Sequence, residues 1–234
     1  MKILYEDSHM IVCYKEAGLP VQSARIGTRD LENILKNYLS EKTGKAPYLA
    51  VVHRLDQPVE GVLVFAKTQK AAASLSAQVN DGRMKKIYHA VVSLEENTDM
   101  ILEQDRTTLC NYMLKDGKTN TSRIVSANTK GAKKAELEYR ILKTTEIMKE
   151  EDEKKTMGAL AEIHLHTGRH HQIRVQMAGA EMPLFGDRKY GKETLCEYGK
   201  SLALCAVSLE LVHPGNGKKM QFTCEPQGEY FKLF

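Results

Sequence analysis

A single carboxylate, Asp56, stands in "HRLDQPVEG" (His53–Gly61), directly after Arg54 and Leu55. Such a group can attack as a nucleophile, take a proton as a base, or neutralise a neighbouring cation. For an arbitrary Asp beside an Arg the third role is the ordinary one. The setting favours chemistry. Pro58 and Gly61 mark a loop, and the apolar run Val62–Ala66 that follows reads as a buried strand. Loops mounted on rigid strands are where reacting groups concentrate. Glu60 is the nearest second acid, and a paired-carboxylate mechanism would need it to face Asp56 across a substrate.

A second cluster is "HLHTGRHHQIRVQMAG" (His164–Gly179), which holds four of the eight histidines with Arg169 and Arg174. Metal ligation is the first thought. The histidines surround a turn, however, and no HExxH pattern or acidic third ligand accompanies them, so no metal is expected. An anion surface suits the residues better. Arg169 at the start of a helix would sit where backbone N–H groups favour phosphate, and Gln172 and Arg174 add donors of fixed geometry. The cations continue in "GDRKYGK" (Gly186–Lys192). Two further pieces are bland taken alone. In "KKIYHAVV" Tyr88 opens a strand, where a tyrosine is usually core. "LALCAVSLELVHP" (Leu202–Pro214) is a core strand.

The elements that must position these residues follow from periodicity. Met10–Tyr14 is a strand and Lys15–Gln22 a turn. Leu31, Ile34, Leu35, Tyr38 and Leu39 keep helical spacing, with Thr28 as N-cap, and Ser40–Pro47 reads as a loop. After Val62–Ala66 comes a helix with Ala72, Leu75 and Val79 on one face, ending near Asn80-Asp81-Gly82. Ile87–Val92 is a strand. From about Leu94 to Met157 the chain is polar, with strand-like pieces in "TSRIVSA" and "AELEYRIL" and an exposed hairpin tip at Met148–Gly158. Ala161, Ile163 and Leu165 alternate as a half-buried strand, and a short helix spans His170–Gly179. Val207–Leu211 and Met220–Cys224 pair as a C-terminal hairpin across "HPGNGK". Strands outnumber helices and follow one another in hairpin order. The expectation is an α+β fold with a mixed, mainly antiparallel sheet.

Bulk properties agree with a globular protein. Hydrophobic residues are 42% and charged residues 27% of 234. With 34 Lys and Arg against 30 Asp and Glu the net charge is +4, short of a clear nucleic-acid footprint. The five cysteines form no Cys-x-x-Cys pair, which argues against a zinc ribbon and for a reducing compartment. Glu6 and Asp7 stand where a signal peptide would be apolar, and no apolar run is long enough to cross a bilayer. A cytoplasmic protein without a membrane partner is expected.

Taken in order, the four pieces resemble the RluA family of RNA pseudouridine synthases. "ILYEDSHMIVCYKEAGLPVQ" is similar to the family's opening strand and lysine-proline-alanine-glycine turn, with Glu16 in the proline position. "HRLDQPVEGVLVFAKT" resembles the HRLD signature, "KIYHAVV" the K-x-Y-x-A strand, "TGRHHQIRVQMAGAEMPLFGDRKYG" the TGR-x-HQ and GD-x-x-YG block, and "LALCAVSLELVHP" the family's ending. The likeness runs over nearly the whole chain.

The resemblance implies one catalytic domain, 1–234, with a central RNA cleft and no separate N-terminal RNA-binding module. It implies uridine isomerisation in ribosomal or transfer RNA without metal or organic cofactor, and nothing in the sequence demands more than a monomer. It implies Asp56 as the catalytic aspartate, Arg174 as its partner, Tyr88 against the target base, and Arg54 displacing the uridine from its stack. Arg169, His171 and Gln172 would meet RNA, and Leu204 would floor the base. Three departures stand out: Glu60 where serine is common, and Cys205 and Gln176 where the family has histidine. An RNA-binding protein with a vestigial site is the alternative reading.

Overall fold

Alternating side chains, helical stripes and a few glycine stops account for the elements found. The computed structural model describes residues 2–23, 27–94, 106–149, 152–197 and 199–234. In chain order these form β1 (Lys2–Glu6), β2 (Met10–Lys15), α1 (Leu31–Thr43), β3 (Ala50–Val51), β4 (Glu60–Ala66), α2 (Gln69–Asn80) and β5 (Lys85–Leu94). There follow β6 (Thr107–Asp116), β7 (Thr121–Val125), β8 (Lys133–Lys149), β9 (Asp152–Leu165), α3 (Gln172–Gly179), β10 (Leu204–Val212) and β11 (Lys219–Thr223). The expected α+β character is present. Among the described residues no helix is long and apolar enough to cross a membrane. The chain divides into two compact units, Met1–Lys86 with Ala206–Pro226 and Ile87–Cys205 with Gln227–Phe234.

In the first unit the strand order is β1-β2-β4-β10, with β3 on β4 and β11 on β10. β2 and β4 are buried along their whole length and pair antiparallel from Met10↔Ala66 to Lys15↔Gly61. Continuous apolar sequence is what a strand covered on both faces requires. Met10, Val12, Val62 and Val64 pack with Ala71 and Leu75 of α2 and with Leu209, Leu211 and Phe222. The C-terminal hairpin is as expected, with Leu209 opposite Phe222 and Leu211 opposite Met220.

Both helices of this unit correct the sequence reading in detail. Asp30, not Thr28, caps α1, because its carboxylate accepts from Asn33 N at 2.8 Å and Ser23 N at 2.8 Å. The helix runs on through Ser40–Thr43, which the sequence reading gave to a loop, and stops where Gly44 takes a left-handed φ of 69°. α2 buries Ala71, Leu75 and Gln78, while Ala72 and Val79 are only half-buried. Gln78 had no apolar signal. Its amide clasps both backbone groups of Val212, each at 2.7 Å.

In the second unit the order is β5-β9-β8-β6-β7, every neighbouring pair antiparallel. Ala159, Ala161 and Ile163 of β9 are fully buried, and Val175 of α3 packs on Met113 and Ala135. A second cluster joins Val91, Ile147, Phe185, Leu195 and Ala203 to Tyr230. Tyr230 lies in a C-terminal 3₁₀ turn (Glu229–Leu233), its ring 5.3 Å from that of Phe185. Most of the expected exposed tip at Met148–Gly158 is strand, since β8 and β9 stay paired out to Lys149↔Asp152. Residues 150–151 and 95–105 lie outside the described residues.

One glycine in the first unit is dictated by contact. Gly61 has φ +125°, and a Cβ there would lie 2.4 Å from the Ala206 carbonyl oxygen. Both the backbone conformation and the space exclude a side chain. Gly61→Ala is expected to cost about 3 kcal/mol or more, combining backbone strain and overpacking, measured as a lowered urea midpoint at unchanged slope. A midpoint equal to wild type would refute the close approach.

Candidate active site

The loop that carries Asp56 is shaped by its flanks. Leu55 and Val59 are buried, Arg54 and Gln57 are exposed, and Asp56 is half-buried between them. Val59 N donates to the Asp56 carbonyl at 3.0 Å and closes a turn on Gln57-Pro58. The loop is fastened to the turn after β2. The Gln57 carbonyl accepts from Lys15 Nζ at 2.9 Å and from Gly18 N at 2.9 Å, and Gln57 Nε2 donates to the Gly18 carbonyl at 3.0 Å.

Lys15 holds this joint together. It is fully buried, and its ammonium also donates to the Glu16 and Leu19 carbonyls at 3.0 and 2.7 Å. Burial pulls its pKa down to about 8, while the charges of Asp56 and Glu60 pull the other way. Lys15 was missed from sequence. Its signal was a charge ending an apolar run, which usually means a solvated strand end. Glu60 is buried and accepts a hydrogen bond from the Tyr14 hydroxyl. It therefore belongs to the packing beneath the loop. Arg54 is exposed, and its Nη2 donates to Gln22 Oε1 at 3.0 Å.

His53 is buried and neutral. Burial, with the charge of Lys86 adding to it, sets its pKa well below the usual imidazole range. Its Nε2 accepts from Val64 N at 3.3 Å, which places the proton on Nδ1, a buried atom with no hydrogen-bond partner among the described residues.

In the second unit the chemistry-bearing residues gather around α3. The helix starts at Gln172, not His170, because His171 adopts a left-handed φ of 55° ahead of it. Arg169 therefore precedes the helix; it is exposed, and its Nε donates to the Lys134 carbonyl at 2.8 Å. Arg174 is 4% exposed and forms a two-pronged pair with Asp187, Nε to Oδ2 at 2.7 Å and Nη2 to Oδ1 at 2.6 Å. Burial alone would raise the Asp187 carboxyl. The Arg174 guanidinium and the N–H groups of Lys189 and Tyr190 outweigh it and hold that carboxyl below its usual range. Asp187 was another partner missed from sequence, though it is the aspartate of "GDRKYG". The Arg174 guanidinium lies 5.1 Å from the centre of the Tyr190 ring.

Tyr190 connects this pair to the β6–β7 hairpin. Its hydroxyl accepts from Ser122 N at 2.8 Å and hydrogen-bonds His171 Nδ1 at 2.7 Å. His170 stacks on His171 with centroids 3.7 Å apart and hydrogen-bonds Ser122 Oγ at 2.9 Å and Asn120 Oδ1 at 3.1 Å. Gln172 is buried. It accepts from the Thr167 hydroxyl and Arg169 N and donates to the Glu136 carbonyl and Gln176 Oε1. Gln176 in turn donates to Asn111 Oδ1 at 2.8 Å. Tyr88 is 6% exposed, opposite Ile163, and Leu204 is 3% exposed at the head of β10. The remaining histidines of the cluster face acids: His164 meets Glu162 at 3.0 Å and His166 meets Glu138 at 3.3 Å. Among the described residues no group of three His, Cys, Asp or Glu is placed to hold a metal ion.

A family model described as RNA pseudouridylate synthase matches residues 9–179. The chain belongs to that family. The chain is 30% identical over its whole length to ribosomal large subunit pseudouridine synthase D of Zymomonas mobilis, of which it spans 72%. It is 32% identical to synthase D of Nitrosomonas europaea, with 93% of the chain and 60% of that protein aligned. The fold matches human RNA pseudouridylate synthase domain containing 4 with a TM-score of 0.73, at 20% identity, over 97% of this chain and 89% of that one. The motifs quoted above thus identified the family correctly, and the enzyme is an RNA-modifying isomerase.

Two measurements follow from the site's electrostatics. His53, His170 and His171 are all held neutral, burial being the largest cause in each; cations add to it, and His170 and His171 are brought to about 4 and about 3. An unfolded chain protonates them near pH 6.5. As pH falls below about 6.5 the unfolded state takes up protons that the folded state refuses, so stability is full above that pH and is lost below it. The melting temperature of the synthase is expected to fall steadily from pH 6.5 to 4.5, and a flat profile would contradict it. Asp187→Asn leaves the Arg174 guanidinium without this carboxylate and is expected to cost about 3–5 kcal/mol, read from chemical denaturation. A loss under about 1 kcal/mol would show that the pair carries little.

Proposed function

We propose that this synthase isomerises uridine in ribosomal RNA with Asp56 as the reacting carboxylate. The observation that carries the assignment is the presentation of Asp56: half-buried, on a loop fastened through Gln57 to Lys15 and Gly18. An acid held by its backbone, on a loop anchored by the buried Leu55 and Val59, is poised for a reacting atom. Ribosomal RNA is the favoured substrate because the relatives from Zymomonas mobilis and Nitrosomonas europaea are named as large-subunit enzymes.

The reaction breaks the bond from C1′ of the ribose to N1 of uracil, turns the base, joins C1′ to C5 with loss of the C5 proton, and leaves N1 to take up a proton. Atoms and electrons balance within the nucleotide, so neither a redox partner nor a metal is called for. An ionised Asp56 serves this chemistry either as a nucleophile or as a base that takes a proton and steadies an electron-poor sugar. Tyr88 offers an aromatic face to the base, Leu204 an apolar surface, and Arg174 a cation. Arg54 and Arg169, both exposed, are suited to RNA, while the buried His171 and Gln172 hold the turn from which Arg169 projects. Taking a uridine out of a stack costs roughly a few kcal/mol, least where it is unpaired, so a loop is the expected target. The enzyme acts as a cytoplasmic monomer.

The test is pseudouridine mapping of total RNA from a deletion strain carrying either wild type or Asp56→Ala. Wild type is expected to restore one or more ribosomal sites. Asp56→Ala is expected to restore none and, purified, to lose at least about 10⁴-fold in turnover while still binding RNA. Full activity in Asp56→Ala would overturn the assignment. RNA binding by wild type with no pseudouridine gained would point instead to a vestigial site.

A further inference from the structure

The β6–β7 hairpin does more than complete a sheet. Its end carries Lys115, Lys118 and Arg123, and the loop after Asp187 brings Lys189 against it; all four are exposed. None of the four makes an ion pair among the described residues. Asp116 is the carboxylate of the hairpin loop, and its Oδ1 is occupied by Lys118 N at 2.8 Å. Four cations thus stand against one exposed acid.

This end is held in place. Lys115 lies opposite Ser122 in the register, and Ser122 is buried, bonded through its N–H to Tyr190 and through its hydroxyl to His170. Asn120, in a left-handed conformation at φ 51°, gives its side chain to His170 and its carbonyl to Lys189 Nζ at 3.0 Å. Arg123, opposite Leu114, faces the other side of the hairpin. Cations therefore surround a rigid end on both faces. Their field is felt locally: after burial, Lys115 and Lys189 are the charges that most oppose protonation of His170.

We propose that this hairpin end, built from Lys115, Lys118, Arg123 and Lys189, docks the phosphate backbone of the substrate RNA outside the catalytic residues. Clustered cations, of which Arg123 alone feels the nearby Asp116, favour a regular polyanion over an isolated carboxylate, because each phosphate bound releases condensed counterions. The Ser122–Tyr190–His171 links join the hairpin to the N-terminal end of α3, one turn before Arg174. A strand docked here is consequently held in register with the residue that the proposed reaction uses. The inference rests on RNA being the substrate and adds a binding surface to that reading.

The experiment measures affinity for fluorescein-labelled oligo(U) of about twenty nucleotides across a potassium chloride series. Wild type, Lys115→Gln/Lys118→Gln and Lys115→Arg/Lys118→Arg are compared, with melting temperatures as the check on folding. If each lysine meets one phosphate, the glutamine pair is expected to flatten the slope of log affinity against log salt by about 1.4, and the arginine pair to keep it. Lys118→Gln alone, at an exposed turn position, should flatten it by about 0.7 and serves if the double variant folds poorly. Slopes equal to wild type in folded variants, or no binding of oligo(U) by wild type, would overturn the surface. Pseudouridine mapping reports separately. Sites restored by wild type with unchanged slopes would sink the docking surface alone. A flattened slope without pseudouridine would sink the reaction and leave the surface standing.

Discussion

A guanidinium taken out of water costs several kcal/mol unless its charge and its N–H groups are met. Arg174 is 4% exposed, and Asp187 meets it with both oxygens. The rest of the order in the second unit can be followed outward from that pair. Asp187 Oδ1 also accepts from Lys189 N and Tyr190 N, which folds the "GDRKYG" loop around the carboxylate. The loop sets Tyr190 over the guanidinium, and its hydroxyl reaches Ser122 and His171. One buried charge thereby fixes a helix, a loop and a hairpin that lie far apart in the chain. A lysine would not substitute, because it has no planar fork to match both oxygens.

The first unit has a counterpart in Lys15. Among the described residues its ammonium meets three carbonyls and no carboxylate directly, so it acts as a knot for backbone rather than as an ion pair. The knot joins the turn after β2 to the residue following Asp56. A carboxylate with a side chain free to swing would lose much of the advantage of proximity, and fixing the peptide on one side of it limits that swing. Glu60 adds a second acid to the field of Lys15, and Tyr14 supplies its hydrogen bond. The chain has thereby placed a buried acid in the field of a buried base.

Periodicity made β2, β4, β9 and the C-terminal hairpin legible, because each buries an uninterrupted or alternating run whose pattern survives in sequence. What escaped were polar residues with interior partners. Gln78, Gln172 and Gln176 look like surface residues by type, yet each is buried with its amide engaged. Long-range pairing is invisible to spacing, so Asp187 was unremarked beside Arg174, and Lys15 passed as a strand end. The cap of α1 was misplaced by two residues because Thr28 and Asp30 are both good capping types, and the choice turned on Asp30 also reaching Ser23 N. The proposed site residues were named through order and motif. Their physical setting was not recoverable that way.

The histidine cluster shows how type and setting part company. Four histidines in eight residues suggest a metal until the ring nitrogens are followed. His170 is engaged with Ser122 and Asn120, and His171 Nδ1 with Tyr190. Both rings are stacked, and both are kept neutral first by burial and then by surrounding positive charge. A neutral imidazole is the form a metal needs, but the cations that help keep it neutral would also repel a metal ion. The same field attracts anions. Lys115, Lys189 and Arg174 act on His170 from three different elements of the chain, so the positive potential is a property of how the unit is assembled. A net charge of only +4 hides it, because the acids that balance the total lie elsewhere.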